Sequence, residues 1–271
     1  MSLGLLYGLG VGALLGLTGA GGGILAIPAL VLGMGYDPRA AAPVALLAVG
    51  ISASLAAIGG LRQKLVRWRA GLLMATAGLA LTPVGVKLAR ALPASFLLTL
   101  FACLMLYVAG RMLRQQSRPP SALARVDAHA KVSAARCALE PSNGRFRWTA
   151  RCAVTLAGIG SACGLMTGML GVGGGFVIVP AFKQWTDVQP HGTVATSLFV
   201  IALLTMGAAA TSFAVGARLD QAGVLFVLGA AGGMVIGRKL SPGLSARTIQ
   251  TSFALLAIAV AMTLLYRAWA T

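Results

Sequence analysis

An all-α fold, a polytopic transmembrane helical bundle of two internal repeats, is what this sequence predicts. Three observations carry that reading. First, 58% of the 271 residues are hydrophobic and 10% charged, with mean hydropathy +0.88. A soluble domain carries about 25% charged residues. Second, eight long runs lack any Asp, Glu, Lys or Arg: 1–36, 40–61, 70–86, 91–110, 152–182, 192–217, 221–237 and 248–266. A helix crosses a bilayer with about 20 apolar residues, range about 17–25, and each run reaches that range. Third, the chain repeats itself. GLTGAGGGILAIPAL at 16–30 aligns without a gap on GMLGVGGGFVIVPAF at 168–182, and Pro38 and Leu46 fall on Pro190 and Leu198 at the same offset. Each half holds four runs. The chain therefore divides into a first transmembrane repeat, 1–113, a basic loop, 114–150, and a second repeat, 151–271.

In chain order, the first run of each half is the exceptional one. As a single helix, 152–182 would be about 46 Å long, well beyond the ~30 Å hydrocarbon core. Glycines interrupt it at Gly171, Gly173, Gly174 and Gly175, and 1–36 is interrupted at Gly19, Gly21, Gly22 and Gly23. Both are expected to be glycine-broken or re-entrant. The remaining three runs of each half read as simple crossings. The basic residues between them map topology, because cytoplasmic loops are enriched in Lys and Arg. Arg62, Lys64, Arg67 and Arg69 make one basic cluster, and 111–151 makes another. At the offset of the repeat, 62–69 maps near 217–221, where Arg218 and Asp220 cancel. The weaker Lys87 and Arg90 map near 238–247, which holds Arg238, Lys239 and Arg247. The bias flips between halves, as inverted repeats predict, provided that the first run of each half enters and leaves on one side. A parallel 4+4 arrangement is the alternative. The 114–150 loop is expected to be cytoplasmic.

The net charge of +17, from 22 basic and five acidic residues, is thereby assigned to membrane topology and anionic lipid. Nucleic-acid binding is not expected, since 111–151 interleaves only Phe146 and Trp148 with its charge. The four cysteines form no C-x-x-C pair, so no zinc or redox motif is read. The N-terminus has no basic segment ahead of its apolar run, and a cleaved secretory signal is not expected. The pattern Gly8-x-Gly10-x-x-Ala13 imitates a dinucleotide fingerprint, but no alternating strands and helices surround it.

The glycine breaks carry the mechanistic expectation. Each glycine costs about 1 kcal/mol relative to Ala inside a helix, so three in a row favour unwinding. In lipid, unwound backbone is tolerated only when packed in protein or lining a cavity. A helix restarting at Ile24 or Phe176 aims unpaired N–H groups, bearing about half a positive charge, at the break. Two such ends near the midplane make an anion site. Gly21, Gly22, Gly23, Gly173, Gly174 and Gly175 are the candidate substrate-binding residues there. Close helix packing is the competing reading of the same glycines. Arg39 and His191, equivalent in the repeat, are candidates for the mouths of a pathway. His191 is also the one candidate for a proton switch. Thr196 and Ser197 are candidate hydroxyl donors, with no counterpart at Val44 and Ala45. No Asp or Glu lies deep in any run, no ligand cluster suggests a metal, and no nucleophile–base pair suggests an enzyme. No cofactor is expected.

At GMLGVGGGFVIVP (168–180), Pro190-His191 and Ala195-Thr196-Ser197-Leu198 the chain resembles the TauE/SafE sulfite exporter family, also called the sulfonate uptake permease family. The first-half copy from Gly16 to Pro28, then Pro38-Arg39, is similar but departs at Val44-Ala45. The resemblance spans nearly the whole chain. It implies a permease that moves small sulfur-containing anions such as sulfite or sulfonates across the bacterial inner membrane. The expected function is thus an inner-membrane permease or exporter for a small anion, working by alternating access, with that anion and membrane lipid as partners. A non-transporting scaffold or accessory subunit, and a permease for a cationic or neutral solute, are the alternatives. The sequence leaves direction, coupling ion and oligomeric state open.

Overall fold

Cap residues set where the helices start. The computed structural model describes residues 2–19, 22–116, 149–175, 178, 190–241 and 245–270, and among them there is no strand. Helix α1 is Ser2–Thr18. The chain returns through a 3-10 turn Gly22–Leu25, a short α turn Ala26–Pro28 and a π turn Ala29–Gly33. Helix α2, Pro38–Arg62, starts on Asp37, whose carboxylate accepts the Arg39 N–H at 2.8 Å, and Pro38 fits the first helical position. Then come α3, Trp68–Ala91, and α4, Ala94–Gln116. Helix α5, Ala150–Leu170, is capped by Thr149. Helix α6 is Pro190–Ala214. Helix α7, Gln221–Leu240, is capped by Asp220, and α8, Ala246–Ala270, by Ser245. The protein is a polytopic helical bundle. Seven of these eight helices are long and apolar enough to cross a membrane, and α1, at 17 residues, falls just short. Most of the expected basic loop lies outside the described residues.

Glycine ladders glue the bundle. Along α1, a Cβ on Gly4, Gly8, Gly12 or Gly16 would land on the backbone of Ala222, Phe226, Ala230 or Met234 of α7. The partner answers with Gly229, Gly233 and Gly237 against Leu5, Leu9 and Ala13. The steps rise together, so α1 and α7 run parallel. Helices α3 and α5 do the same: Gly160 meets Met74, Gly164 meets Gly78, and Gly168 meets Thr82 and Gly85. Apolar lipid gives helices little reason to associate except close packing, and small residues every fourth position allow it. Gly8 and Gly12, which imitate a nucleotide motif, are rungs of such a ladder. Gly10 between them faces open space.

Hydrogen bonds between elements fix the two faces. The Arg39 guanidinium donates to the Leu92 carbonyl at 3.2 Å, which places the start of α2 beside the end of α3. The Tyr36 hydroxyl donates to the Asp220 carboxylate at 2.5 and 2.6 Å, which adds the start of α7 to this Arg39 face. At the opposite face the Arg67 N–H donates to the Thr196 hydroxyl at 3.1 Å, joining the α2–α3 turn to the start of α6. Arg238 donates to the Ala56 carbonyl at 3.0 Å, so α7 ends at this Arg67 face. Helices α2 and α6 are antiparallel, with Gly50 beside Thr205 and Gly60 beside Ala195. Helix α1 leaves the Arg39 face, Gly19 at its end meets Val194 near the other face, and residues 22–36 return to Tyr36. Helix α5 starts from the Arg67 face, because it runs parallel to α3.

The buried polar groups among the described residues are all Ser or Thr. Thr82, Thr167, Ser197, Thr205 and Ser212 donate to the carbonyl four residues back, which satisfies a hydroxyl in an apolar interior. No charged side chain among them is buried.

Candidate functional site

The two glycine breaks meet at one side chain. Gly171 ends α5 in the left-handed conformation, φ +68°, its N–H donating to the Thr167 carbonyl at 2.8 Å, a helix-terminating arrangement suited to glycine. Gly19, its counterpart in the repeat, ends α1 at φ +81°. Gly173 and Gly174 also have positive φ, +76° and +59°, a region that L side chains enter at about 1–2 kcal/mol each. A Cβ built on Gly23 would lie 3.2 Å from Val49 Cγ1, and one on Gly173 would lie 3.3 Å from the same methyl. Val49, on α2, therefore sits between the breaks. Thr205 of α6 turns its methyl to Gly173, 2.8 Å from a built Cβ, while its hydroxyl donates to the Ile201 carbonyl. The restarts differ from the expected ones. The first begins as a 3-10 turn at Gly22, ahead of Ile24. In the second, Ile178 N–H donates to the Gly174 carbonyl, so turning resumes at Gly174, ahead of Phe176.

A cavity of about 590 Å³ leads from the Arg39 face toward these breaks. Arg39, Arg90 and Arg218 line it with Asp37. Those three arginines come from the start of α2, the end of α3 and the α6–α7 connection. The Asp37 carboxylate is held by the Arg39 N–H, and the nearby Asp220 by Tyr36 and Gly223. Further in, the walls are Leu46 of α2, Phe101 of α4 and Leu170 of α5. The inner end includes Ile27, whose Cδ1 would lie 3.0 Å from a Cβ on Gly171. Positive charge gathers at the mouth and an apolar interior approaches the break.

Tyr36 and Asp220 bind the return of the first hairpin to α7 across this face. Burial, then the hydrogen bond and the charge of Asp220, pushes the Tyr36 hydroxyl from its usual 10 up to about 12.

The candidates fall at three levels. Arg39 lines the cavity mouth. Gly23, Gly173 and Gly174 lie at the breaks, Gly22 opens the 3-10 turn, and Gly175 is buried in the resuming helix. Thr196 and Ser197 are buried near the Arg67 face, where Thr196 accepts from Arg67 and Ser197 donates to Thr193. The structure does not bring them to Arg39. His191 lies in the first turn of α6, and its side chain and Gly21 are outside the described residues. Val49, Arg90 and Arg218 escaped the sequence reading. No local pattern marks Val49, and Arg90 and Arg218 read there only as topology signals.

Fold and cavity together define a class: a multi-pass helical membrane protein with a cavity lined by α2, α3, α4, α5 and α6. The model of the sulfite exporter TauE/SafE family matches residues 4–264, and the chain belongs to that family. A probable membrane transporter protein of Xylella fastidiosa strain Temecula1 is 28% identical over 273 residues, covering 96% of this chain and 93% of its own. The probable membrane transporter protein YunE of Bacillus subtilis is 26% identical, covering 97% and 95%. No solved structure matches. The protein is a multi-pass bacterial membrane transporter of this family and not an enzyme.

Proposed function

We propose that the protein is an inner-membrane permease for a small anion, with a sulfur oxyanion such as sulfite or a sulfonate as substrate, working by alternating access. The observation that carries this reading is the cavity mouth, with three arginines and one aspartate that is already held as a helix cap. Guanidinium groups match the planar faces of oxyanions and keep their charge at every working pH. Beyond the mouth lie the paired glycine breaks, and the N–H groups at the start of a helix suit an anion.

The helix directions support two inverted halves. Helices α1 and α5, which carry the equivalent breaks, start on opposite faces, as do α2 and α6. The Arg67 face gathers Arg62, Lys64, Arg67, Arg69, Arg238 and Lys239, and by the positive-inside bias it is cytoplasmic. The cavity then opens outward, and Val49 fills the meeting point of the breaks on the way in. Movement of α2 with Val49 is the step that passes substrate from one side to the other.

Counterflow in proteoliposomes tests this. Internal sulfite or a sulfonate should accelerate uptake of the labelled anion, a cationic control should not, and Arg39→Gln should cut the rate by about tenfold or more. Absence of anion-dependent counterflow in wild-type vesicles would leave the scaffold reading standing, and exchange of the cationic control would favour a cation permease.

A further inference from the structure

We propose that the anion crosses the Arg67 side of the membrane along one face of α2, with the Ser52 hydroxyl as its hydrogen-bond donor on the way and Arg238 as the group that receives it at the end. The inference rests on the anion reading above and supplies the half of the route that the cavity at the Arg39 face leaves out.

Ser52 is fully buried, at 0% exposure, and its Oγ has no hydrogen-bond partner in the protein. The buried hydroxyls of Thr82, Thr167, Ser197, Thr205 and Ser212 each donate to the carbonyl four residues back. On α2 itself Ser54 does the same, to Gly50 at 2.7 Å. Ser52 makes no such bond. A buried polar atom without a partner is costly. The buried positions around it on α2 include Ala45, Ala48, Ala53 and Ala56, and an alanine at 52 would avoid that cost. Among the described residues the other buried side-chain polar atom without a partner is Arg67 Nε, and it too lies on the Arg67 side of Val49.

Helical register aims the hydroxyl. Ser52, Ala56 and Gly59 follow Val49 at steps of three, four and three residues, which puts all four on one side of α2. This stripe starts at the breaks, where Val49 Cγ1 would lie 3.2 Å from a Cβ on Gly23 and 3.3 Å from one on Gly173. It ends at Arg238, whose guanidinium donates to the Ala56 carbonyl at 3.0 Å and would lie 2.7 Å from a Cβ on Gly59. Val49 to Gly59 is about 15 Å of helix, half of the ~30 Å hydrocarbon core. Ser52 stands between those ends. A hydroxyl donates to an oxyanion as readily as to a carbonyl, and a guanidinium adds full charge. Arg238 is spent here on a neutral carbonyl, which ties α7 to α2. Movement of α2 with Val49 breaks that tie and frees the guanidinium for the anion that arrives past Ser52.

Sided exchange of the full-length protein tests this. Right-side-out and inside-out membrane vesicles are given labelled sulfite or methanesulfonate on one face, with the other face saturated, and the half-saturating concentration is read at each face. Ser52→Ala should raise it about tenfold at the Arg67 face, the ratio expected for one hydrogen bond to a charged group, and leave the Arg39 face within twofold of wild type. Arg238→Gln, which keeps a donor for the Ala56 carbonyl and removes the charge, should raise it at least threefold at the same face. Arg39→Gln should act at the opposite one. The melting temperature of Ser52→Ala should equal or exceed that of wild type, because an orphaned atom is removed, whereas a merely structural hydroxyl would lower it. Wild-type exchange from both faces in Ser52→Ala overturns the inference and leaves the anion reading intact, as does an equal rise at the two faces or a loss of transport that only follows a loss of stability. A change confined to the half-saturating sodium concentration would make Ser52 a cation ligand and also overturn it. Absence of exchange with either anion in wild-type vesicles overturns the anion reading itself.

Discussion

Gly174 shows how much one residue can decide in this protein. Its φ of +59° and its neighbours, with Cys163 Cβ 3.0 Å and the Thr167 hydroxyl oxygen 3.1 Å from a built Cβ, leave no room for a side chain. Gly174→Leu is expected to abolish transport while the protein still inserts in the membrane, because the break is local and the eight apolar runs are untouched. Flux and membrane fractionation measured together check this, and retained flux would count against the break as part of the pathway. Tyr36 offers a pH test. Its hydroxyl is raised from 10 to about 12 in the folded protein, so its protonated form is favoured by folding. That contribution is complete below the ordinary value and is lost as pH rises through the folded one. Tyr36→Phe should therefore lower the melting temperature by a constant amount around neutral pH, and the gap to wild type should close between about pH 10 and 12. A gap that persists above that window would place the effect of Tyr36 in packing instead.

At the scale of elements, the parallel pairs α1–α7 and α3–α5 are held by backbones in contact. Gly164→Leu pushes a side chain onto the Gly78 carbonyl, and Gly12→Leu onto that of Ala230. Overpacking of this kind costs about 1–3 kcal/mol, occasionally more. Gly10→Leu, one position round the helix with nothing nearby, should be close to neutral. Thermal unfolding of the three variants in the same detergent checks the contrast, and equal losses in all three would mean that the ladder does not hold the pairs. The hairpin of α1 with Gly22–Gly33 is a different kind of element. Its 3-10 and π turns mark a segment whose helical register changes twice, which is common where structure serves a site rather than stability.

At the scale of the whole molecule, the bundle has two distinct faces. Arg67, Arg238 and the starts of α3, α5, α6 and α8 share one face, and Arg39, Asp220 and the starts of α1, α2, α4 and α7 the other. If the halves are inverted, single cysteines placed in 114–150 and in 241–245 should both be labelled from the cytoplasm, and one placed next to Arg218 only from outside. Labelling of the first two from opposite sides would sink the inverted arrangement. The same geometry separates charge between the faces: Arg39, Arg90 and Arg218 line the cavity at one, while Arg67 and Arg238 sit at the other.

The membrane class, the eight apolar runs, the two breaks and the missing interior carboxylates were legible in the sequence, because each is a local property. Hydropathy, run length and the backbone freedom of glycine act on neighbours along the chain. The re-entrant course of the first segment was also legible, from length and charge, although the return is built of 3-10 and π turns that no residue pattern announces. What the tertiary structure decided was proximity. Only packing brings Arg39, Arg90 and Arg218 to one mouth, sets Val49 between glycines from different halves, and sends Thr196 and Ser197 to the face opposite Arg39. Only packing turns Gly8 and Gly12 into rungs against α7. A lone chain records what each residue can do, but which of them meet depends on how the helices cross, and that is set by the fit of surfaces far apart in sequence.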